Sequence, residues 1–128
     1  FSSTNAADVG DVTVKDIKFS FTKGTNTNAP KYYTAGGGTI RMYPTNAVAI
    51  DAGSKKIAKI TVVCDSYSGT NYTAEGKGTC SPGTATLDGL TYTFSDINAA
   101  KVTITNGNTG TGGATQMRIK TMTITFAK

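Results

Sequence analysis

Apolar and polar residues alternate along this chain in short runs that Gly, Asn, Asp and Pro interrupt, and no stretch repeats with the period of a helix. Such alternation is what a strand needs when one face is buried and the other meets water. It predicts an all-β chain, with strands near 12–22, 38–43, 46–51, 57–67, 84–87, 90–94, 100–106 and 115–126, and a short edge piece at 31–34. Between them the turn formers mark loops: Gly24-Thr-Asn-Thr-Asn28, the Gly36-Gly-Gly stretch, the long segment from Ser66 to Gly83, and Asn106-Gly-Asn-Thr-Gly-Thr-Gly-Gly113.

One irregularity recurs. Val14, Ile17, Phe19, Phe21 share a spacing with Ile57, Ile60, Val62, Cys64 and with Ile119, Met122, Ile124, Phe126. In each set an extra residue separates the first apolar position from the second, which would turn the rest of the strand outward unless something absorbs it. The pattern predicts β-bulges near Lys15-Asp16, Ala58-Lys59 and Lys120-Thr121. The alternative is that Val14, Ile57 and Ile119 face the opposite side at an edge of the core.

A length of 128 residues fits one domain, read as a sandwich over 12–128 preceded by an N-terminal extension over 1–11. Composition then narrows the class. The chain is 16% charged, below the roughly 25% usual for soluble domains, yet it holds 24 Thr, 8 Ser, 8 Asn and 15 Gly. Its surface is polar through hydroxyls and amides, with Thr on the outer faces of strands, as in Thr121, Thr123 and Thr125, and Gly in the turns. Such a composition points to an extracellular or cell-envelope location. The beginning Phe1-Ser-Ser-Thr-Asn reads as a mature or trimmed chain without a signal peptide.

The formal charge of +5 invites nucleic acid as a partner, but the basic residues are scattered, with Lys55-Lys56 the sole adjacent pair. Nucleic acid is therefore not expected, and no apolar run is long enough for a membrane helix. Histidine is absent, so Ser-His-Asp and Cys-His nucleophile systems are excluded, and Glu occurs once, at Glu75. Asp51, Asp65, Glu75, Asp88 and Asp96 show no spacing that pairs them as a glycosidase would. No enzyme activity and no cofactor are expected. Asp8 and Asp11 are the candidates for a structural calcium ion.

Two cysteines leave two readings open. Cys64 is in phase with the core residues Ile60 and Val62, whereas Cys80 lies in the turn-rich Gly78-Thr-Cys-Ser-Pro-Gly83. A disulfide closing this excursion would contribute on the order of 3 kcal/mol, and an extracellular location favours it. The other reading is a buried free thiol and an unrelated loop cysteine.

The candidate chemistry lies in Pro30-Lys-Tyr32-Tyr33 and Thr39-Ile-Arg41-Met-Tyr43. On a strand Arg41 and Tyr43 share one face while Ile40 and Met42 take the other. Aromatic rings pack on the C–H face of a sugar and a guanidinium fork bonds neighbouring hydroxyls, so Tyr32, Tyr33, Arg41 and Tyr43 are candidate carbohydrate-binding residues. The competing explanation is cross-strand packing of Tyr against Arg. Tyr67 and Tyr72, in the long loop, are the second candidates.

These residues also carry a resemblance. Ala29-Pro-Lys-Tyr-Tyr33, Gly38-Thr-Ile-Arg-Met-Tyr43, Asn46-Ala-Val-Ala-Ile50 and Lys55-Lys-Ile-Ala-Lys-Ile-Thr-Val-Val63, followed by Tyr92-Thr-Phe94, Val102-Thr-Ile104 and the run from Gly112 to Phe126, form an ordered set over 19–126. The set resembles the β-sandwich modules of surface lipoproteins and secreted proteins of gut Bacteroides-type bacteria. That resemblance implies an antiparallel, jelly-roll, galactose-binding-like sandwich that binds glycan or a surface protein. Membrane association would come through a lipid anchor outside this chain. Where the resemblance would place a Trp-Thr-Gly stretch the chain has Gly78-Thr-Cys-Ser-Pro-Gly83, and Trp is absent throughout. Cys64 stands where those modules carry a larger apolar residue, which the resemblance reads in favour of its pairing with Cys80.

Overall fold

The alternating runs become strands whose apolar sides meet between two antiparallel sheets in the computed structural model, which describes residues 4–128. Strands are numbered in chain order. One sheet has seven strands in the order β1 (Ala7–Asp8), β4 (Lys31–Tyr33), β5 (Thr39–Met42), β14 (Met117–Phe126), β7 (Ile57–Cys64), β12 (Thr91–Ser95) and β11 (Thr84–Asp88). The other has five, in the order β10 (Gly78–Ser81), β13 (Lys101–Asn106), β6 (Ala47–Asp51), β3 (Ile17–Thr22) and β2 (Asp11–Val14). A two-stranded ribbon, β8 (Ser66–Tyr67) with β9 (Thr70–Asn71), stands outside both. The chain is thus all-β and antiparallel, packed as a sandwich. No helix among the described residues is long and apolar enough to cross a membrane.

The core lies between the sheets. Ile60, Val62 and Cys64 of β7, Tyr92 and Phe94 of β12, and Met42 and Met117 of β5 and β14 are buried with Val48 and Ile50 of β6 and Val102 and Ile104 of β13. The rings of Tyr92 and Phe94 stack at 5.3 Å between centroids. Burying side chains of this size supplies about 1.5–3 kcal/mol each, the main force holding the layers together.

Two of the three phase slips are bulges. Between Ile119 and Thr121 the register of β14 on β7 shifts at Lys120, and between Thr125 and Phe126 it shifts again because Ala58 is extra on β7. Each shift returns the apolar side chains to the core side, as the spacing requires. The third slip is a different device. Val14 pairs with Ile17, so β2 and β3 form a hairpin whose two-residue turn is Lys15-Asp16, both with positive φ. The expected single strand over 12–22 is therefore two.

Other expectations change at the edges. The segment read as an extension joins both sheets: Ala7 pairs with Tyr32, Val9 is buried, and Asp11 opens β2. Gly78–Ser81, read as loop, pairs with β13 at the edge of the five-stranded sheet. The disulfide is absent: Cys64 and Cys80 are free thiols. They belong to opposite sheets, Cys64 bonding Leu90 at one end of β7, while Cys80 lies in the corner of Gly83, Ser95 and Ile97, and Ile97 bonds Ala58 near the other end. Roughly 15 Å of strand separates those levels, whereas a bridge requires Cα atoms within about 7 Å. Burial pushes the Cys64 thiol up to about 12 and raises that of Cys80, so both stay protonated near neutral pH.

Candidate functional site

The candidate site is built on the outer face of β5 and β14. Both strands put apolar residues inward on either side of an arginine, as Ile40-Arg41-Met42 and Met117-Arg118-Ile119, and they pair so that Met42 meets Met117, Arg41 meets Arg118 and Ile40 meets Ile119. The two arginines are thus directly opposed on the face turned away from the core.

A tyrosine covers each guanidinium. Arg41 Cζ lies 3.7 Å from the centroid of the Tyr33 ring, and Arg118 Cζ lies 3.5 Å from that of Tyr72. Tyr33 reaches Arg41 as a diagonal neighbour, since β4 pairs Tyr33 with Thr39 and Lys31 with Arg41. Stacking of this kind stabilises a guanidinium through the ring quadrupole and leaves its in-plane N–H groups for other partners. Arg118 Nε donates to Gln116 Oε1 at 2.9 Å, whereas Arg41 Nε is buried without a hydrogen-bond partner.

The loop that carries Tyr72 is tied down at both ends. Tyr72 N–H donates to Asp65 O, and Arg118 N–H donates to Tyr72 O. The buried Tyr92 hydroxyl donates to Thr73 O at 2.6 Å and accepts from Gly78 N–H at 2.9 Å. Asn108 Nδ2 donates to Ala74 O and Glu75 Oε1. Gly78 is required at this point, because a Cβ there would stand 2.7 Å from Met117 and 2.8 Å from the Tyr92 ring.

Between this loop and the turn at Gly36 lies an open groove of about 600 Å³, with Arg41, Arg118, Lys120, Asp65, Tyr67 and Tyr72 in its lining. Its size falls in the range of small-ligand sites. Tyr67 is 70% exposed, and the backbone of Gly36 comes close enough that a Cβ would meet Asp65 Oδ2 at 3.0 Å. Asp65 lies 3.9 Å from Lys120 Nζ. Burial and the facing Arg41 both lower the pKa of Arg118, which Tyr72 and Asp65 partly offset.

The structure thus brings Arg41, Tyr67 and Tyr72 to one groove, with Tyr33 beneath Arg41. Tyr43 stands beside them, its hydroxyl 3.5 Å from that of Tyr33, and burial followed by this contact pushes its pKa up to about 12. Tyr32 goes elsewhere: it pairs with Ile40 and lines an apolar cleft between the sheets, because neighbours on a strand take opposite faces. Of the calcium candidates, Asp8 is ion-paired to Lys31 at 2.5 Å in the seven-stranded sheet, while Asp11 opens β2 in the other. No group of three or more metal-binding side chains forms among the described residues.

Arg118 and Lys120 line the groove without being candidates from the sequence, and Asp65, which the sequence offers only as an unpaired carboxylate, joins them. The signal for Arg118 is the reversed triplet: Met117-Arg118-Ile119 mirrors Ile40-Arg41-Met42, and antiparallel pairing of mirror triplets superposes their centres. Set against family models, curated proteins and solved structures, the chain matches none of them.

Proposed function

We propose that the chain is a non-catalytic extracellular or cell-surface module that binds carbohydrate in the groove over β5 and β14. The observation that carries this reading is the row of two ring-stacked guanidiniums, Arg41 on Tyr33 and Arg118 on Tyr72, beside the exposed Tyr67. Guanidinium edges suit hydroxyl pairs, and an exposed aromatic ring suits the C–H face of a sugar. A jelly-roll, galactose-binding-like form of the sandwich and a place in the cell envelope belong to the same reading, and rest on the residue set over 19–126. Catalysis is not proposed, because Asp65 is the one carboxylate lining the groove among the described residues and glycoside hydrolysis uses two.

The test is a glycan array followed by calorimetric titration with the folded chain. Binding to at least one glycan class is expected, weakened by Tyr67→Ala and by Arg118→Ala. An array without binding, at a temperature where the fold is intact, would overturn the reading.

A structural or adhesive spacer domain is the second reading. It is favoured by the same stacks, since each arginine is paired with a tyrosine inside the sheet and serves packing without any ligand. It expects Arg41→Ala to lower the thermal midpoint and glycan binding to be absent from the start.

A further inference from the structure

The groove is markedly unbalanced in charge. Arg41, Arg118 and Lys120 line it against the single carboxylate of Asp65, and Asp65 lies nearest Lys120. Among the described residues neither arginine has a carboxylate within ion-pair distance. Like charges set directly opposite each other across a ladder destabilise a sheet, and Arg41 and Arg118 occupy such a pair of positions. Arg41 Nε adds a second cost, being buried without an acceptor. Packing on Tyr33 and Tyr72 accounts for the faces of the two guanidiniums. It accounts neither for their opposition nor for the unmet N–H.

An anion placed over the pair removes the first cost, bonding the exposed edges of the two guanidiniums. A carboxylate is planar and offers two acceptor oxygens, matching the spacing of a guanidinium fork. The flanking rings and the exposed Tyr67 ask for a ligand that also presents C–H surface. We infer that the groove takes an acidic oligosaccharide, one whose sugar rings carry carboxylates as uronic acids do, with the carboxylate held between Arg41 and Arg118. This rests on the glycan-binding reading and narrows it to a ligand class. Binding of this kind weakens as salt screens the charges.

Calorimetric titration with tetragalacturonate, its fully methyl-esterified form and a tetraglutamate peptide tests the inference. The acid sugar should bind at least about tenfold tighter than its ester, or roughly 1.4 kcal/mol. The preference should vanish in Arg118→Gln and Arg41→Gln, persist in part in Arg118→Lys, which keeps charge without the fork, and remain in Lys101→Gln on the other sheet. Far-UV circular dichroism of each variant confirms that the fold is kept. Equal affinity for acid and ester overturns the acidic-sugar inference and leaves glycan binding standing. A preference that survives both glutamine variants overturns the assignment to this groove. Binding of the peptide as tight as that of the sugar overturns the glycan reading as well, whereas no binding of any probe overturns the acidic-sugar inference and leaves the glycan reading to the array.

Discussion

Strands β5 and β14 carry two unlike clefts on their two faces. On the inner side Ile40, Ile119 and Met122 meet Val12, Phe19 and Phe21 in an apolar cleft of about 270 Å³ at the open edge of the sandwich. On the outer side Arg41 and Arg118 stand over the polar groove, more than twice as large at about 600 Å³. One residue of register separates the two, because side chains alternate across the sheet. The inner face is held by burial and tolerates little change in volume. The outer face is held by ring stacks and carries opposed charges that packing alone does not require. Stability should therefore respond chiefly to the inner face and ligand affinity chiefly to the outer.

The largest effect is expected where the inner face is fully closed. Met117 is 0% exposed and lies against Gly78 and the Tyr92 ring. Met117→Ala should cost about 2–5 kcal/mol in urea unfolding, the usual range for removing a large buried side chain. Where the variant is still folded its ligand affinity should be close to the parent's. A loss of affinity larger than the loss of stability would show that the two faces are not independent.

A somewhat smaller effect is expected at Tyr92, which links them. Tyr92→Phe keeps the stacked ring and removes the hydroxyl that bonds Thr73 O and Gly78 N–H, leaving the buried Gly78 N–H unmet while Thr73 O keeps the bond from Gly76 N–H. A cost of about 1–3 kcal/mol follows. The same change should speed hydrogen exchange at Ala74 and Gly78, since it frees the loop that bears Tyr72. Unchanged exchange there would mean that the Asn108 bonds to Ala74 and Glu75 suffice to hold the loop.

How far all this can be read from the residues depends on which signals are local. Alternation assigns Ile40, Met42 and Met122 to the core side before any strand is paired with another, and the bulges at Ala58 and Lys120 follow from phase alone. The same phase slip at Lys15-Asp16 proved to be a hairpin turn, because an inserted residue and a two-residue reversal reset the alternation alike, and no Gly or Asn marks this turn. Strand β10 is hidden by its own turn formers: an edge strand needs a ladder on one side only, and Gly78 serves the approach of Tyr92 rather than a reversal. The groove needs β5 beside β14, strands far apart in sequence, so its charge pairing is invisible to composition and spacing. Only the mirrored triplets around Arg41 and Arg118 foreshadow it. The choice between the two cysteine readings is hidden for the same reason, since core phase at Cys64 says nothing about which end of β7 faces Cys80, and the free-thiol reading is the one observed.

On the outer face, stability changes should be small. Arg41→Gln removes a stack on Tyr33 but also relieves the opposition to Arg118, whose charged form Arg41 disfavours. The two effects are each about 0.5–1 kcal/mol and opposed, so the thermal midpoint should move little. The balance shifts with salt, because screening weakens the repulsion between the arginines. The variant should gain relative to the parent at low ionic strength and lose that gain at high. A large fall in the midpoint at every salt concentration would favour the spacer reading, in which the Tyr33–Arg41 stack is structural.

The smallest expected effect is a titration at the rim of the same row. Burial first, and then contact with the Tyr33 hydroxyl, push the pKa of Tyr43 up to about 12 from the ordinary tyrosine value of 10.0. The folded chain therefore favours the neutral phenol more than the unfolded chain does. Its contribution to stability is fully present below pH 10.0 and is lost as the pH rises toward about 12, since the unfolded chain ionises first. Cys64, raised from 9.0 to about 12 by burial, adds a loss with the same sign that begins at lower pH. Tyr43→Phe should leave stability at neutral pH nearly unchanged, because the hydroxyl contact it removes is long at 3.5 Å. It should flatten the decline above pH 10.0 without touching the part that begins near pH 9.0. Urea midpoints measured from pH 8 to pH 11.5, roughly spanning both ionisations, make the comparison, and identical slopes for parent and variant would show that Tyr43 titrates as it does in the unfolded chain.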